Sequence, residues 1–322
     1  MNEEPSDLDE ILERADALED QGAVADALRL LQRASEIYRD DPVILTRIGS
    51  LATDLGQWAE AETALLRAIE VERDFALAYS YLGLLYKAED RREAALNMLT
   101  SATRIEESAG NLTVLGVIQL SLGMTEEAQQ SFRRALVVDP NYEEALYNLA
   151  TSVVVDDTSE AIALLEKAIE IDPKYSIAFR ELGWAFRRKE DYTEAEYYIR
   201  RAIELDSTDG WAHIYLGNVM WALEDKQAAE RSFEDAIRVW PDWSTPYWCF
   251  AHFLEYQGDN QRAEALYAKA LEVDPGDAQA NWRFGNYLAD IGEVEKAKTY
   301  LNWAIALDPS DKRPSARLAT LE

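Results

Sequence analysis

A pattern of small and bulky residues repeats along this chain with a pitch of 34 residues, shortened to 33 at two steps. Two of its columns are alanine in all nine copies: Ala27, Ala61, Ala95, Ala128, Ala161, Ala195, Ala229, Ala263 and Ala297, and Ala34, Ala68, Ala102, Ala135, Ala168, Ala202, Ala236, Ala270 and Ala304. A large apolar residue stands three places before each member of the second column. Small residues at fixed places let paired helices approach closely while bulky neighbours fill the gaps. One such pair buries too little surface alone, so the pattern predicts a stack of pairs.

The copy from Ser176 to Asp209 shows the unit clearly. Its first half places Phe179, Leu182, Gly183 and Phe186 at spacings of three and four, which predicts an amphipathic helix over about 177–189. A short turn follows, and Asp191 is suited to cap a second helix over about 193–205. The unit is therefore predicted to be a helix, a turn and a second helix.

Prolines end the second helix in five of the nine copies, at Pro140, Pro173, Pro241, Pro275 and Pro309. The whole pattern resembles the tetratricopeptide repeat over nearly the entire chain. The resemblance implies an all-α fold, a right-handed α-solenoid (superhelix) of about nine helix-turn-helix repeats over residues 8–310. Residues 311–322 are predicted to form a C-terminal capping helix. Residues 1–7, acidic and containing a proline, are predicted to be disordered.

The charge balance restricts the partners of the chain. It carries 61 acidic against 32 basic residues, a formal net charge of -29. Such a surface repels phosphate backbones, so direct binding of nucleic acid is not expected. The acidity either simply solvates the exterior or attracts a basic partner.

Cysteine usage and hydropathy indicate the compartment. One cysteine, Cys249, excludes an internal disulfide and fits a reducing compartment. The first ten residues lack the basic and apolar segments of a secretory signal, and no apolar run is long enough to span a bilayer. A cytoplasmic location without membrane contact is therefore expected.

The resemblance also implies a binding surface, because the first helices of such repeats line the concave side of the solenoid. Places on these helices offset from the packing positions are small or polar in the early repeats, for example Thr46, Ser80 and Thr113, and larger from the fifth repeat onward. A row of large aromatic residues outside the core typically marks a contact surface. The predicted partner-binding residues are Tyr147, Arg180, Trp184, Arg187, Arg188, Trp211, Asn218, Trp221, Trp248, His252, Trp282 and Asn286.

Two alternatives remain for these residues at the level of the sequence. The indoles either contact a partner or pack against the neighbouring helix and shape the groove. The arginines either grip carboxylates of a partner or pair with Glu181, Glu190 or Glu194. Some tetratricopeptide domains capture a C-terminal carboxylate with lysine, arginine and asparagine, but here Ile214 stands where a lysine would be, which disfavours that version.

No catalytic or metal-binding pattern stands out. The sequence has no glycine-rich phosphate loop, and it contains only two histidines. His213 falls on a packing position and is expected in the core or an interface. His252 lies three residues after Cys249, but this pair lacks a third metal ligand and an evident acid. We therefore expect no enzyme activity, no metal and no cofactor.

The sequence thus predicts a non-enzymatic scaffold that binds a peptide segment or helix of another protein in an aromatic groove. Two other functions stay open. The chain could serve as a regulatory subunit of an enzyme complex through the acidic convex face of its second helices. It could also bind a small ligand, since stacked indoles suit sugars and aromatic compounds.

Overall fold

The computed structural model describes residues 7–321, so most of the segment expected to be disordered lies outside the described residues. These residues form nineteen α-helices and no strand. In chain order they are α1 Leu8–Asp20, α2 Val24–Ile37, α3 Pro42–Asp54, α4 Trp58–Val71, α5 Ala76–Ala88, α6 Arg92–Ile105, α7 Ala109–Ser121, α8 Thr125–Val138, α9 Glu143–Val153, α10 Thr158–Ile171, α11 Ser176–Arg188, α12 Tyr192–Leu205, α13 Gly210–Ala222, α14 Lys226–Val239, α15 Ser244–Gln257, α16 Asn260–Val273, α17 Ala278–Asp290, α18 Val294–Leu307 and α19 Lys312–Leu318. The all-α prediction is confirmed. Odd-numbered helices up to α17 are called A helices, and even-numbered ones B helices.

The contacts divide the chain between Val155 and Asp156 into two compact units. In the first unit, each of α1, α3, α5 and α7 packs against the B helix that follows it, and that B helix packs against the next A helix. The second unit repeats this arrangement from α10 to α18, and α19 packs against α17 and α18. Helix-turn-helix pairs in series are therefore the building plan of each unit.

Glycines of the A helices receive the bulky residues of the B helices, which explains why both recur. In the second unit, a Cβ added to Gly217 would lie 2.9 Å from the ring of Phe233, and one added to Gly183 would collide with Ile199. Phe233, Ile199 and both alanine columns are almost fully buried. The glycine therefore lets the two helices approach closely, and the bulky B-helix residue fills the space that the glycine leaves.

The turn inside each helix pair contains a residue with positive φ in all described repeats except the fifth. The residue is Gly22, Gly56, Asp90, Gly123, Glu190, Glu224, Gly258 or Gly292. Glycine adopts this left-handed conformation without the steric cost that Glu190 bears at φ 61°. The fifth repeat lacks one residue at this place, and its A helix, α9, is 11 residues long where α11 has 13.

Aspartates cap many of the helices, and one pair of them offers a matched test. The carboxylate of Asp41 accepts hydrogen bonds from the backbone N–H groups of Val43 and Ile44 at 2.9 and 3.0 Å, whereas Asp7 caps α1 without a side-chain bond. We expect Asp41→Ala to lower the free energy of unfolding of the first unit by about 1 kcal/mol. Asp7→Ala should change this free energy of unfolding by no more than about 0.3 kcal/mol. Urea unfolding followed by circular dichroism measures both; equal effects would contradict the capping role.

Candidate functional site

The A helices of the second unit lie side by side, with α11 contacting α13, α13 contacting α15 and α15 contacting α17. The surface they share is called the A-helix face below. One column of positions on A helices changes along the chain. In the second to fourth repeats it holds Thr46, Ser80 and Thr113, all buried. In the second unit it holds Arg180 and the buried Ile214, and then Trp248 and Trp282, both only partly buried. Helices α15 and α17 therefore present indoles where α3, α5 and α7 have small buried residues.

Trp184 and Trp211 form one end of this aromatic row. Trp184 stacks on Tyr215 of the next A helix, with ring centroids 5.0 Å apart and planes at 24°. Trp211 lies 6.0 Å from the same tyrosine and 6.1 Å edge-on from Trp240, and 37% of it remains exposed. These indoles pack against their neighbours and are also open to solvent, so both interpretations of the sequence describe part of the geometry.

Trp221 is the centre of a second cluster, on α13 and α15. Its ring contacts those of His252, Phe253 and Tyr256 at centroid distances between 5.0 and 5.6 Å. Tyr256 is 74% exposed. A cavity of about 720 Å³ opens beside this cluster, and its lining consists of Arg187, Asn218, Trp221, Ala222, Glu224, Lys226, Tyr256 and Gln257. Its size lies in the range of ligand-binding clefts.

Trp248 and Trp282 continue the row on α15 and α17. The indole nitrogen of Trp248 is hidden from solvent without a hydrogen-bond partner, and the Arg283 guanidinium lies 5.6 Å from its ring. Arg313 lies 5.8 Å from the ring of Trp282. Both indoles are half-buried. All five tryptophans expected on this face are therefore partly exposed at the surface of the second unit, and none is fully buried in its core.

Arg180 does not fit the role expected for it. Its guanidinium donates to Glu181 at 2.8 Å and to Asp209 at 2.6 Å, and its side chain is only 13% exposed. Burial alone would lower the pKa of Arg180, but the two carboxylates more than offset this and raise it. Pairing inside the protein, one of the two alternatives left by the sequence, describes this arginine, so Arg180 is a structural residue and is not available to a partner.

The other predicted polar residues differ in their surroundings. Arg187 lies over Trp184 at 4.8 Å, and Arg188 is exposed. The side-chain amide of Asn218 donates to the Ile214 carbonyl at 3.0 Å, and that of Asn286 donates to Asp290 at 3.2 Å. Both amides thus bond within their own helices.

Tyr147 lies on α9 of the first unit, where it is partly buried. The remaining predicted residues belong to the second unit. The candidate site therefore consists of residues of the second unit alone.

The histidines and the cysteine take ordinary structural places. His213 is buried, as predicted, and one ring nitrogen lies 3.2 Å from the Ser207 carbonyl oxygen. Burial raises the pKa of the Cys249 thiol well above its usual value. Among residues 7–321, no group of three or more His, Cys, Asp or Glu side chains is placed to hold a metal ion. Over the same range, no helix has the length and apolar character needed to cross a bilayer.

His252 provides a pH-dependent test of the Trp221 cluster. Burial, aided by the charge of Arg283, lowers its pKa from 6.5 to about 4. Between these values the unfolded chain binds more protons than the folded one, so the contribution of His252 to stability falls as the pH drops from 6.5 towards about 4. We expect an NMR titration to show that the imidazole ring of His252 stays neutral down to about pH 4. A midpoint close to 6.5 would show that the ring is solvated.

Sequence reasoning missed Tyr215 and Arg283. Tyr215 joins Trp184 to Trp211, and Arg283 contacts Trp248. They occupy the same repeat position as Cys249, one place after the column of Trp248 and Trp282. Because that position varies from tyrosine to cysteine to arginine, hydropathy alone could not assign it to the face.

A second cavity, of about 550 Å³, lies on the B-helix side of the second unit. Aromatic and aliphatic side chains of α16 and α18 dominate its lining, among them Leu271, Tyr300, Trp303 and Leu307. Glu272 is its one acidic lining residue. This cavity is therefore apolar, unlike the acidic interaction surface considered from the sequence.

Known proteins show the same repeat. Models of the tetratricopeptide repeat family match residues 18–85, 109–142, 155–210 and 254–321, which together make up well over half of the chain. The TPR repeat-containing protein YpiA of Bacillus subtilis (strain 168) is 28% identical over 187 residues. This match covers 56% of the present chain and 43% of YpiA, so the chain spans less than half the length of that relative.

Solved structures agree in fold. A tetratricopeptide repeat protein from Parabacteroides merdae ATCC 43184 superposes with a TM-score of 0.65 at 21% identity, covering 76% of this chain and 98% of its own. The Cut9–Hcn1 hetero-tetramer of the APC/C gives 0.58 at 16% identity, covering 94% of this chain and 59% of the matched chain. With the repeat models and the paired helices, these matches show that the chain belongs to the tetratricopeptide repeat family, whose fold is that of a protein-interaction scaffold.

Proposed function

We propose that the second unit binds a segment of another protein on its A-helix face. The observation that carries this proposal is the row of partly exposed indoles on consecutive A helices, Trp184, Trp211, Trp221, Trp248 and Trp282. Three repeats of the first unit have small buried residues, Thr46, Ser80 and Thr113, in the column that holds Trp248 and Trp282. Because the repeat can pack without these indoles, packing alone does not account for them.

The mechanism of binding follows from the chemistry of the face. Indole rings bury large areas on contact with little loss of side-chain freedom, and they are enriched among residues that dominate binding energy. The neighbouring cavity beside Trp221 and Tyr256 offers space for one protruding side chain of the partner.

The apolar cavity on the B-helix side supports a second candidate, in which a partner docks against Tyr300 and Trp303. Trp303 is 53% exposed, so it is accessible for such a contact. The A-helix face is favoured because its aromatic residues extend over four successive A helices, whereas the second cavity is confined to the end of the unit.

The experiment is capture of partners from the native host with the full chain, followed by mass spectrometry and by affinity measurement for the partner found. We expect Trp248→Ala and Trp282→Ala each to weaken binding by about tenfold to a hundredfold, as for central aromatic contacts. Trp303→Ala is the matched control on the other face and should leave the affinity unchanged. Loss of binding with Trp303→Ala only, in variants that remain folded, would transfer the function to the B-helix cavity.

A further inference from the structure

Two partly buried arginines of the second unit lack the ion pairs that the other partly buried arginines form. In residues 7–321, arginines with an ion pair include the partly buried Arg47, Arg180 and Arg317. Arginines without an ion pair are exposed, such as Arg104 and Arg231, with two exceptions. Arg187 and Arg283 are half-buried, yet neither has a carboxylate within ion-pair distance.

A shortage of acidic side chains does not explain this, because the chain has 61 of them against 32 basic residues. Arg187 and Arg283 also have similar surroundings. The Arg187 guanidinium lies 4.8 Å from the ring of Trp184, and that of Arg283 lies 5.6 Å from the ring of Trp248. In both, the Nε atom is hidden from solvent and makes no hydrogen bond. An indole face holds a guanidinium in place without using its N–H donors.

The charges around Arg187 leave room for an anion. The ionisable groups that act on it most are Tyr192, Tyr215 and Arg188, none of them a carboxylate, and burial lowers its pKa. Arg187 also lines the cavity of about 720 Å³ beside Trp221. The guanidinium is therefore accessible to a group that enters this cavity.

Glu255 is an acidic neighbour of Arg283, but it is already engaged. Glu255 lies close enough for its pKa to respond to the charge of Arg283, but it accepts a hydrogen bond from the Tyr267 hydroxyl at 2.7 Å and forms no ion pair with the arginine. The guanidinium donors of Arg283 thus remain without an acceptor, as those of Arg187 do.

We propose that the segment bound on the A-helix face is acidic, with one carboxylate held by Arg187 in the cavity and a second held by Arg283. This inference rests on the proposed function and adds the chemistry of its ligand. Planar guanidinium groups bind carboxylates through two parallel hydrogen bonds, which a partly dehydrated site strengthens. The net charge of -29 favours a basic partner only at long range, and salt screens it beyond about 8 Å at physiological ionic strength.

The test uses random peptides displayed on phage and selected on the full chain. The selected peptide is then synthesised twice, once with its acidic residues and once with each of them replaced by its amide. We expect the selection to enrich acidic sequences, and the amide form to bind about tenfold more weakly or worse, as for loss of a charge-assisted hydrogen bond. The proposal would be overturned if the selection enriched basic sequences or no sequence at all, or if the acidic and amide forms bound with equal affinity.

Protein variants assign the effect to the two arginines. Arg187→Gln and Arg283→Gln should each reduce the difference in affinity between the acidic and amide peptides, whereas Arg104→Gln and Arg231→Gln, which change the net charge equally, should preserve it. If peptides bind in a manner that requires Trp248 but without preference for acidic residues, this inference fails and the proposed function stands. If no peptide requires Trp248, the proposed function itself fails.

Discussion

Replacing Phe233 by alanine is expected to lower the free energy of unfolding of the second unit by about 3–5 kcal/mol, the range observed for large aromatic residues removed from cores. Phe233 is fully buried and packs between Gly217, Phe250 and Phe253, with ring centroids 5.8 and 5.4 Å from those of the two phenylalanines. Its removal leaves a cavity at the closest approach of α13 and α14. Urea unfolding followed by tryptophan fluorescence reports on this unit, because eight of the nine tryptophans lie in it.

The matched control is Tyr197→Ala. Tyr197 is an aromatic residue of the same unit, but 63% of it is exposed and its ring contact is with Tyr198. We expect this variant to lose less than about 1 kcal/mol, the usual range for surface positions and single aromatic pairs. Similar losses for the two variants would mean that the B-helix residue facing glycine does not dominate packing.

Replacing Arg180 by leucine should have an effect of similar size for a different reason. The variant leaves Glu181 and Asp209 without their cation, and Glu181 and Asp209 are 15% and 7% exposed. Removing one member of a buried ion pair costs about 3–5 kcal/mol, since a buried charge then lacks compensation. Arg231→Leu, at an exposed arginine, should change stability by no more than about 0.5 kcal/mol.

The pH dependence of the Arg180→Leu variant identifies the cause. Burial raises the pKa of Glu181, and Arg180 opposes that rise. Without Arg180 the pKa rises further, so the folded variant binds a proton at pH values where the unfolded chain is still ionised. Stability of the variant should therefore increase as the pH falls from about 7 towards 5. A deficit relative to the parent chain that stays constant over this interval would exclude the buried carboxyl as its cause.

The sequence was sufficient to predict the repeat because its information is local and periodic. The alanine columns and the cap at Asp191 appear where the pattern places them. The sequence also placed Phe233 in the column of large apolar residues, but it did not show that this side chain contacts Gly217. That contact depends on the distance between α13 and α14, which no spacing along one helix reveals.

The site was harder to predict, because surface residues are defined by neighbours from other repeats. Arg180 and Arg187 occupy the same A helix and were assigned the same role from their spacing. The difference between them comes from Asp209, which lies at the start of α13 and pairs with Arg180. Arg187 meets Trp184 and two tyrosines instead. A one-dimensional pattern contains neither of these contacts.

The measurement that tests the account most directly is photocrosslinking from each face of the second unit. A photoreactive phenylalanine derivative is placed at Tyr256, beside the cavity on the A-helix face, or at Trp303, on the B-helix side. Both positions are largely exposed, so their access to solvent is comparable. Binding on the A-helix face predicts crosslinks to the captured partner from position 256 and none from position 303. Crosslinks from position 303 alone would contradict it.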